Sequence, residues 1–212
     1  MRTPLAAIAA AFALAAAAGC VGGLKNTDPE PRMYRVTAPE LPGGDGLAAD
    51  LLVARPESAP GLGVNRIATR WPGLRFDYYA GARWAEDLPA MVQSALVESL
   101  AGAHRLRSVQ GDLGRFHATH VLSVKVQYFE ADYTAGAVPT ARVVLAATLG
   151  RQADRRVLAS FSVATSQPAA ANRLTEVVAA LDAAFGRAAT EVATRSFDAI
   201  AADLQAPANI RP

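Results

Sequence analysis

Apolar and polar positions follow two different periods along this chain, and the changeover falls between Leu74 and Leu100. In the first part Leu74, Phe76 and Tyr78 alternate with Arg75, Asp77 and Tyr79. That period of two predicts a strand with one buried face. In the second part Leu88, Met91, Val92, Ala95, Leu96, Ser99 and Leu100 recur at spacings of three and four, which predicts an amphipathic helix with one stripe against an apolar surface. Glu86 and Asp87 stand where its unpaired N–H groups begin, Pro89 is tolerated in the first turn, and Gly102 is placed to end it. This strand, short turn and helix form the best-specified unit of the chain.

The same reading extends to both sides. Tyr34 to Val36, Leu51 to Arg55 and Val64 to Arg70 predict short strands, and Trp71-Pro72-Gly73 turns the last of these back into Leu74 as a hairpin. Arg105 to Val109 predicts another strand, followed by a turn over Gly111 to Gly114. Three longer alternating runs follow, from His120, from Ala141 and from Val157, the last two separated by the polar segment RQADRR. They predict an antiparallel meander with one solvated face. Asn172 to Gln205 is one long helical pattern, with an apparent phase shift near Gly186 or Arg195, and Pro207 is placed to end it. The order defines an α+β single domain: a mixed, largely antiparallel sheet with two main helices packed on one face.

The N-terminus follows other rules. Arg2 precedes an unbroken apolar run from Leu5 to Ala18, too short to span a bilayer but suited to a signal peptide. Small residues lead to Cys20, the one cysteine of the chain. The arrangement resembles a bacterial lipobox, with Ala17 where leucine is preferred. The expected organisation is a signal peptide over 1–19, a lipidated N-terminus and flexible tether over 20–32, a domain over 33–206 and a tail over 207–212. Several acyl chains on Cys20, palmitate for example, would anchor the domain without a spanning helix, and Val21 in place of aspartate points to the outer membrane. Removing residues 1–19 leaves 20 basic and 19 acidic residues, a near-neutral balance that speaks against nucleic-acid binding.

Little in the sequence speaks for catalysis. There is no G-x-S-x-G elbow, no H-E-x-x-H and no glycine-rich phosphate loop after a strand. His117 and His120 lie three apart at a strand entrance, where they would point to opposite faces, and are read as solvated or packed residues. No metal and no cofactor is expected, and His104 needs no role beyond its place at a helix end. The aromatic cluster Tyr78, Tyr79 and Trp84 is more informative, since tyrosine and tryptophan are enriched at interface hot spots. Packing is the simpler account of Trp84 and Tyr78, whereas Tyr79 should face away from the side that buries Phe76.

The run Leu51-Leu52-Val53, Arg55-Pro56, Ala59-Pro60-Gly61-Leu62 and Arg66-Ile67-Ala68, then Phe76-x-Tyr78-Tyr79 and Trp84-x-Glu86-x-Leu88-Pro89, resembles the ABC-type transport auxiliary lipoprotein family. These are the PqiC-like lipoproteins that accompany Mce-domain transport systems. The resemblance implies a non-catalytic lipoprotein on the periplasmic face of a Gram-negative outer membrane. Its partners would be an Mce-domain protein with its ABC permease and ATPase, and a homo-oligomer is left open. It would dock the Mce assembly to the outer membrane for transport of lipids or other hydrophobic solutes. Tyr79, Trp84, Tyr78 and Arg66 are the candidate partner-binding residues and Cys20 the lipidation site. The alternative is a periplasmic lipoprotein that binds a lipid or small molecule independently of an Mce system.

Overall fold

The computed structural model describes residues 30–111 and 117–206. Cys20, the signal and most of the tether, the turn at Gly111–Gly114 beyond its first residue, Pro207 and the tail lie outside the described residues. Nine strands and two helices follow in the order β1 (Arg32–Tyr34), β2 (Leu47–Val53), β3 (Glu57–Ser58), β4 (Arg66–Arg70), β5 (Phe76–Trp84), α1 (Leu88–Gly102), β6 (Leu106–Gln110), β7 (His120–Asp132), β8 (Thr140–Arg151), β9 (Val157–Pro168) and α2 (Leu174–Gln205). The sheet is mixed and open, the helices pack on it, and the α+β expectation holds.

The hub of the sheet is β7 rather than the Leu74–Leu100 unit. Along one edge β7 pairs in parallel with β2 at Leu51–Val53, then β3, then β4 at Ala68–Arg70. Along its other edge it runs antiparallel to the whole length of β8, and β8 to β9. Short parallel ladders are thus laid end to end against a long antiparallel meander. Residue spacing explains the arrangement: thirteen residues of β7 offer enough edge for three shorter strands in succession. Strand β3, only two residues long, carries no periodic signal and escaped the sequence reading.

Both helices bury the stripes their sequences dictate. Every predicted apolar position of α1 is buried, and Asp87 caps it by accepting a hydrogen bond from Ala90 N–H at 2.9 Å. The helix ends at Gly102 as expected, although the left-handed residue beyond it is His104 (φ 51°). Helix α2 runs without interruption, and the phase shift read in its sequence is absent. Ala184, Ala188, Ala193 and Ser196 complete the buried stripe between Val177 and Ile200. Ser196 can be buried there because its hydroxyl donates to the Val192 carbonyl at 2.7 Å. The core is centred on Trp84, Phe129 and Phe185, in ring contact at centroid distances of 5.6 and 6.0 Å.

The strand half of the Leu74–Leu100 unit departs from expectation. Leu74 is 95% exposed and Phe76 42% exposed, so the face read as buried is not. The hairpin of β4 and β5 projects past the end of β7, where Arg70 pairs with Asp132 and Phe76 pairs with Arg70. Beyond that level the sheet offers nothing for Leu74 to cover. Farther along, the six residues of β5 from Tyr78 to Arg83 face the three of β4 from Arg66 to Ala68. This bulge, with Gly81 at φ 62°, re-aims the strand so that Ala82 and Trp84 enter the core. What was read as a turn before α1 is therefore largely strand.

Candidate functional site

Two of the four candidate partner-binding residues meet on the surface. Arg66 at the start of β4 stacks its guanidinium 4.0 Å over the ring of Tyr78 on β5, and Phe76 meets Tyr78 edge-on at 5.2 Å. The Tyr78 hydroxyl donates to the Gly61 carbonyl at 2.9 Å. Gly61 sits at φ 85°, and a Cβ there would come within 3.0 Å of the Phe76 ring, so only glycine lets the Pro60-Gly61 turn close on the aromatic pair. Beside it lies a cleft of about 470 Å³ lined by Pro60, Leu62, Phe76, Gln127, Tyr128 and Glu130. Arg142 reaches in from β8 to stack 3.6 Å over Tyr128.

Glu130, on the floor of this cleft, is 4% exposed. Its Oε1 accepts no hydrogen bond, and the nearest cation is Arg142 at 3.7 Å. Burial pushes its carboxyl above the usual range, with Arg142 and Arg70 opposing. Tyr128, Arg142 and Glu130 were not singled out from the sequence. In β7 and β8 they occupy ordinary alternating patterns, and only the pairing of the two strands aligns Arg142 with Glu130.

The other two candidates are placed elsewhere. The indole of Trp84 is 1% exposed within the core and presents no surface to a partner. Tyr79 is half-buried beyond the bulge, and its hydroxyl lies 2.5 Å from that of Tyr133. Tyr133 in turn donates to Asn172 Oδ1 at 2.8 Å. Burial, reinforced by the bond to Tyr133, pushes the Tyr79 phenol far above its ordinary range.

At the opposite end of β7 the histidines separate as their spacing requires. His117 is exposed and His120 buried. Among the described residues no group of three metal-ligating side chains gathers. A cleft of about 350 Å³ opens here beside His117, Thr119, His120, Arg151, Asp154 and Asp203. Thr119 Oγ1 donates to the Asp50 carbonyl at 3.0 Å and accepts from Asp50 N–H at 2.9 Å. Its remaining lone pair faces His120 Nδ1 at 2.9 Å, and His120 Nε2 lies 3.3 Å from Asp203 Oδ2. Arg151 bridges Asp203 at 2.8 Å and Asp154 at 2.6 Å, and its hydrogen bond holds the Asp154 carboxyl down at about 2. The threonine, histidine and aspartate superficially form a triad, with the threonine hydroxyl also bonded to the Asp50 backbone.

The geometry is that of a packed α+β module with a surface aromatic and arginine cluster. The sequence profile of the ABC-type transport auxiliary lipoprotein component matches residues 35–193, and this chain belongs to that family. No curated protein sequence matches it. Among solved structures it is similar to protein XCC0632 from Xanthomonas campestris. That likeness has 26% identity and a TM-score of 0.75, covering 82% of this chain and 99% of that one. It also shares the fold of the hypothetical protein CT253 from Chlamydia trachomatis, at 10% identity and a TM-score of 0.51 over 73% of this chain and 99% of that one.

Proposed function

We propose that this protein is a lipid-anchored, non-catalytic component of an ABC transport system, working at the periplasmic face of the outer membrane. It would dock an Mce-domain assembly there, so that lipids or other hydrophobic solutes pass between membranes. The observation that carries the reading is the family match across nearly the whole domain, beginning fifteen residues after Cys20. Residues 1–19 would be removed and Cys20 acylated. Among the described residues no helix is long and apolar enough to cross a membrane, so the acyl chains supply the attachment. The internal pairing of Thr119, His120, Arg151 and Asp203 supports a structural use of those groups. Arg66 and Tyr78 are the side chains offered to a protein partner, and a homo-oligomer belongs to the same reading.

The test is fractionation and co-purification of a C-terminally tagged chain. The acylated protein should sediment with outer membranes and bring down an Mce-domain protein and its permease, whereas Cys20→Ser should appear in the soluble periplasm. Membrane retention of the Cys20→Ser protein would overturn the anchor. Purification of the acylated chain free of transporter, with an extractable lipid bound, would replace docking by the ligand-binding alternative.

A further inference from the structure

The two ends of β7 differ in chemistry. At the His120 end lie the charged turn Arg151–Arg156, His117, Asp50 with Arg107, and Asp203. At the Asp132 end three loops converge: 71–75 between β4 and β5, 133–139 between β7 and β8, and 169–173 between β9 and α2. Their sequences are WPGLR, YTAGAVP and AAANR; Arg75 and Arg173 are the charged residues among them, and Arg173 is paired with Glu176 at 3.1 Å. The carboxylate bordering them, Asp132, is paired with Arg70 at 3.3 Å.

This end exposes apolar side chains. Leu74 at the hairpin tip is 95% exposed and Val138 in the neighbouring loop 49% exposed. Leu74 is also held at φ 67°, following Gly73 at φ 73°. That left-handed conformation is one a branched side chain rarely adopts, and asparagine or glycine would be expected there if folding alone chose the residue. Behind the tip Trp71 is stacked on Tyr133 at 4.2 Å, and Arg75 lies 4.6 Å over Trp71. A projecting leucine backed by tryptophan and arginine is the composition of a protein surface at the headgroup layer of a bilayer.

The direction of the chain indicates which bilayer. Strand β1 is parallel to β5, with Arg32 opposite Ala82. Arg32 therefore enters β1 from the same end of β5 as Phe76 and the hairpin tip. Arg32 is level with a point six residues from Phe76, about 20 Å along the strand. The twelve residues from Cys20 to Pro31 reach about 40 Å when extended. A lipid on Cys20 and the side chain of Leu74 can therefore sit in one membrane plane.

We propose that the pole led by Leu74 and Val138 rests in the phospholipid headgroup layer of the membrane to which Cys20 is anchored. This sets the orientation of the domain, with β5, the Arg66–Tyr78 cluster and the charged pole rising away from the bilayer. The proposal rests on the anchored reading for its tether, so its test supplies a tether independently. The mature chain carrying Cys20→Ser and an N-terminal hexahistidine is bound to vesicles of phosphatidylcholine, phosphatidylglycerol and a nickel-chelating lipid, with part of the phosphatidylcholine brominated in its acyl chains. The chain has two tryptophans, and Trp84 is buried, so quenching reports Trp71, and a Trp71→Phe control assigns it. Quenching is expected, with most of it lost in the Leu74→Asp/Val138→Asp variant and in the conformationally milder Leu74→Asn. Absence of quenching in the tethered protein, or quenching unchanged by these variants, overturns the proposal. So does shielding of the pole by the transporter proteins instead of by lipid. Failure of the anchor is read separately, by flotation of the native acylated chain.

Discussion

The hydroxyl oxygens of Tyr79 and Tyr133 lie 2.5 Å apart, and Tyr133 passes the contact on to Asn172 at 2.8 Å. One line of side chains thus ties the bulge of β5 to the end of β7 and to the loop before α2, segments widely separated in sequence. Trp71, stacked flat on Tyr133, closes the hairpin over the same point. This clasp holds together the loops at the Asp132 end of β7.

Removing the Tyr79 hydroxyl with Tyr79→Phe should cost about 1 kcal/mol in urea unfolding, the usual net worth of such a bond. Tyr133→Phe should cost more, since it leaves both Tyr79 and Asn172 without their partner. The double variant should fall short of the sum of the two single losses. Additive losses would mean that the hydroxyls do not act as one chain.

Trp84→Ala should destabilise the protein by about 3–5 kcal/mol, because it empties a site packed against Phe129 in the core. Arg66→Ala and Tyr78→Phe, at the surface, should each cost about 1 kcal/mol or less while reducing recovery of the transporter proteins. Thermal melts beside co-purification separate the two effects. A Trp84→Ala protein as stable as the parent would contradict the central place of this residue in the core.

Burial raises the carboxyl of Glu130, so the folded state holds that proton more tightly than the unfolded chain does. The resulting contribution to stability is full below the ordinary carboxylate pKa and is lost as pH rises through the raised folded value. Glu130→Gln should therefore be more stable than the parent near pH 7. The gap should close as pH falls toward about 4, the ordinary range of a glutamate. Denaturation at a series of pH values checks this. A parent more stable than the variant at neutral pH would show that Arg142, 3.7 Å away and one-third exposed, more than compensates for the buried charge.

Leu74→Gly removes a side chain that buries almost nothing and relieves a left-handed backbone. It should raise stability by up to about 1 kcal/mol while weakening Trp71 quenching by brominated lipid. A gain in thermal stability accompanied by a loss of membrane contact would identify Leu74 as retained for binding, and a drop in stability would remove the argument from strain.

Much of the architecture could be read from residue order, because burying one face of a helix or strand imposes a period that survives in any context. The stripe Leu88 to Leu100, the cap at Asp87, the hairpin around Trp71-Pro72-Gly73 and the β7–β8–β9 meander are all local patterns, and each is observed. The family was legible as well, through the R-I-A, Y-Y and W-x-E-x-L-P elements. The period alone could not say where a strand outruns its neighbours. Leu74 and Phe76 alternate like buried residues, yet β7 stops at Asp132 and leaves them in solvent.

The sequence by itself determined the helices, the meander and the family, because these depend on neighbours a few residues apart. Tertiary structure alone decided that β7 is the hub, that a bulge sends Trp84 inward while Arg66 meets Tyr78, and that Arg142 and Tyr128 flank a buried Glu130. It also gathered three sparsely charged loops at the Asp132 end of β7. Those outcomes depend on which strand edges meet and where each ladder ends, quantities set by the packing of distant segments and recorded at no single position of the chain.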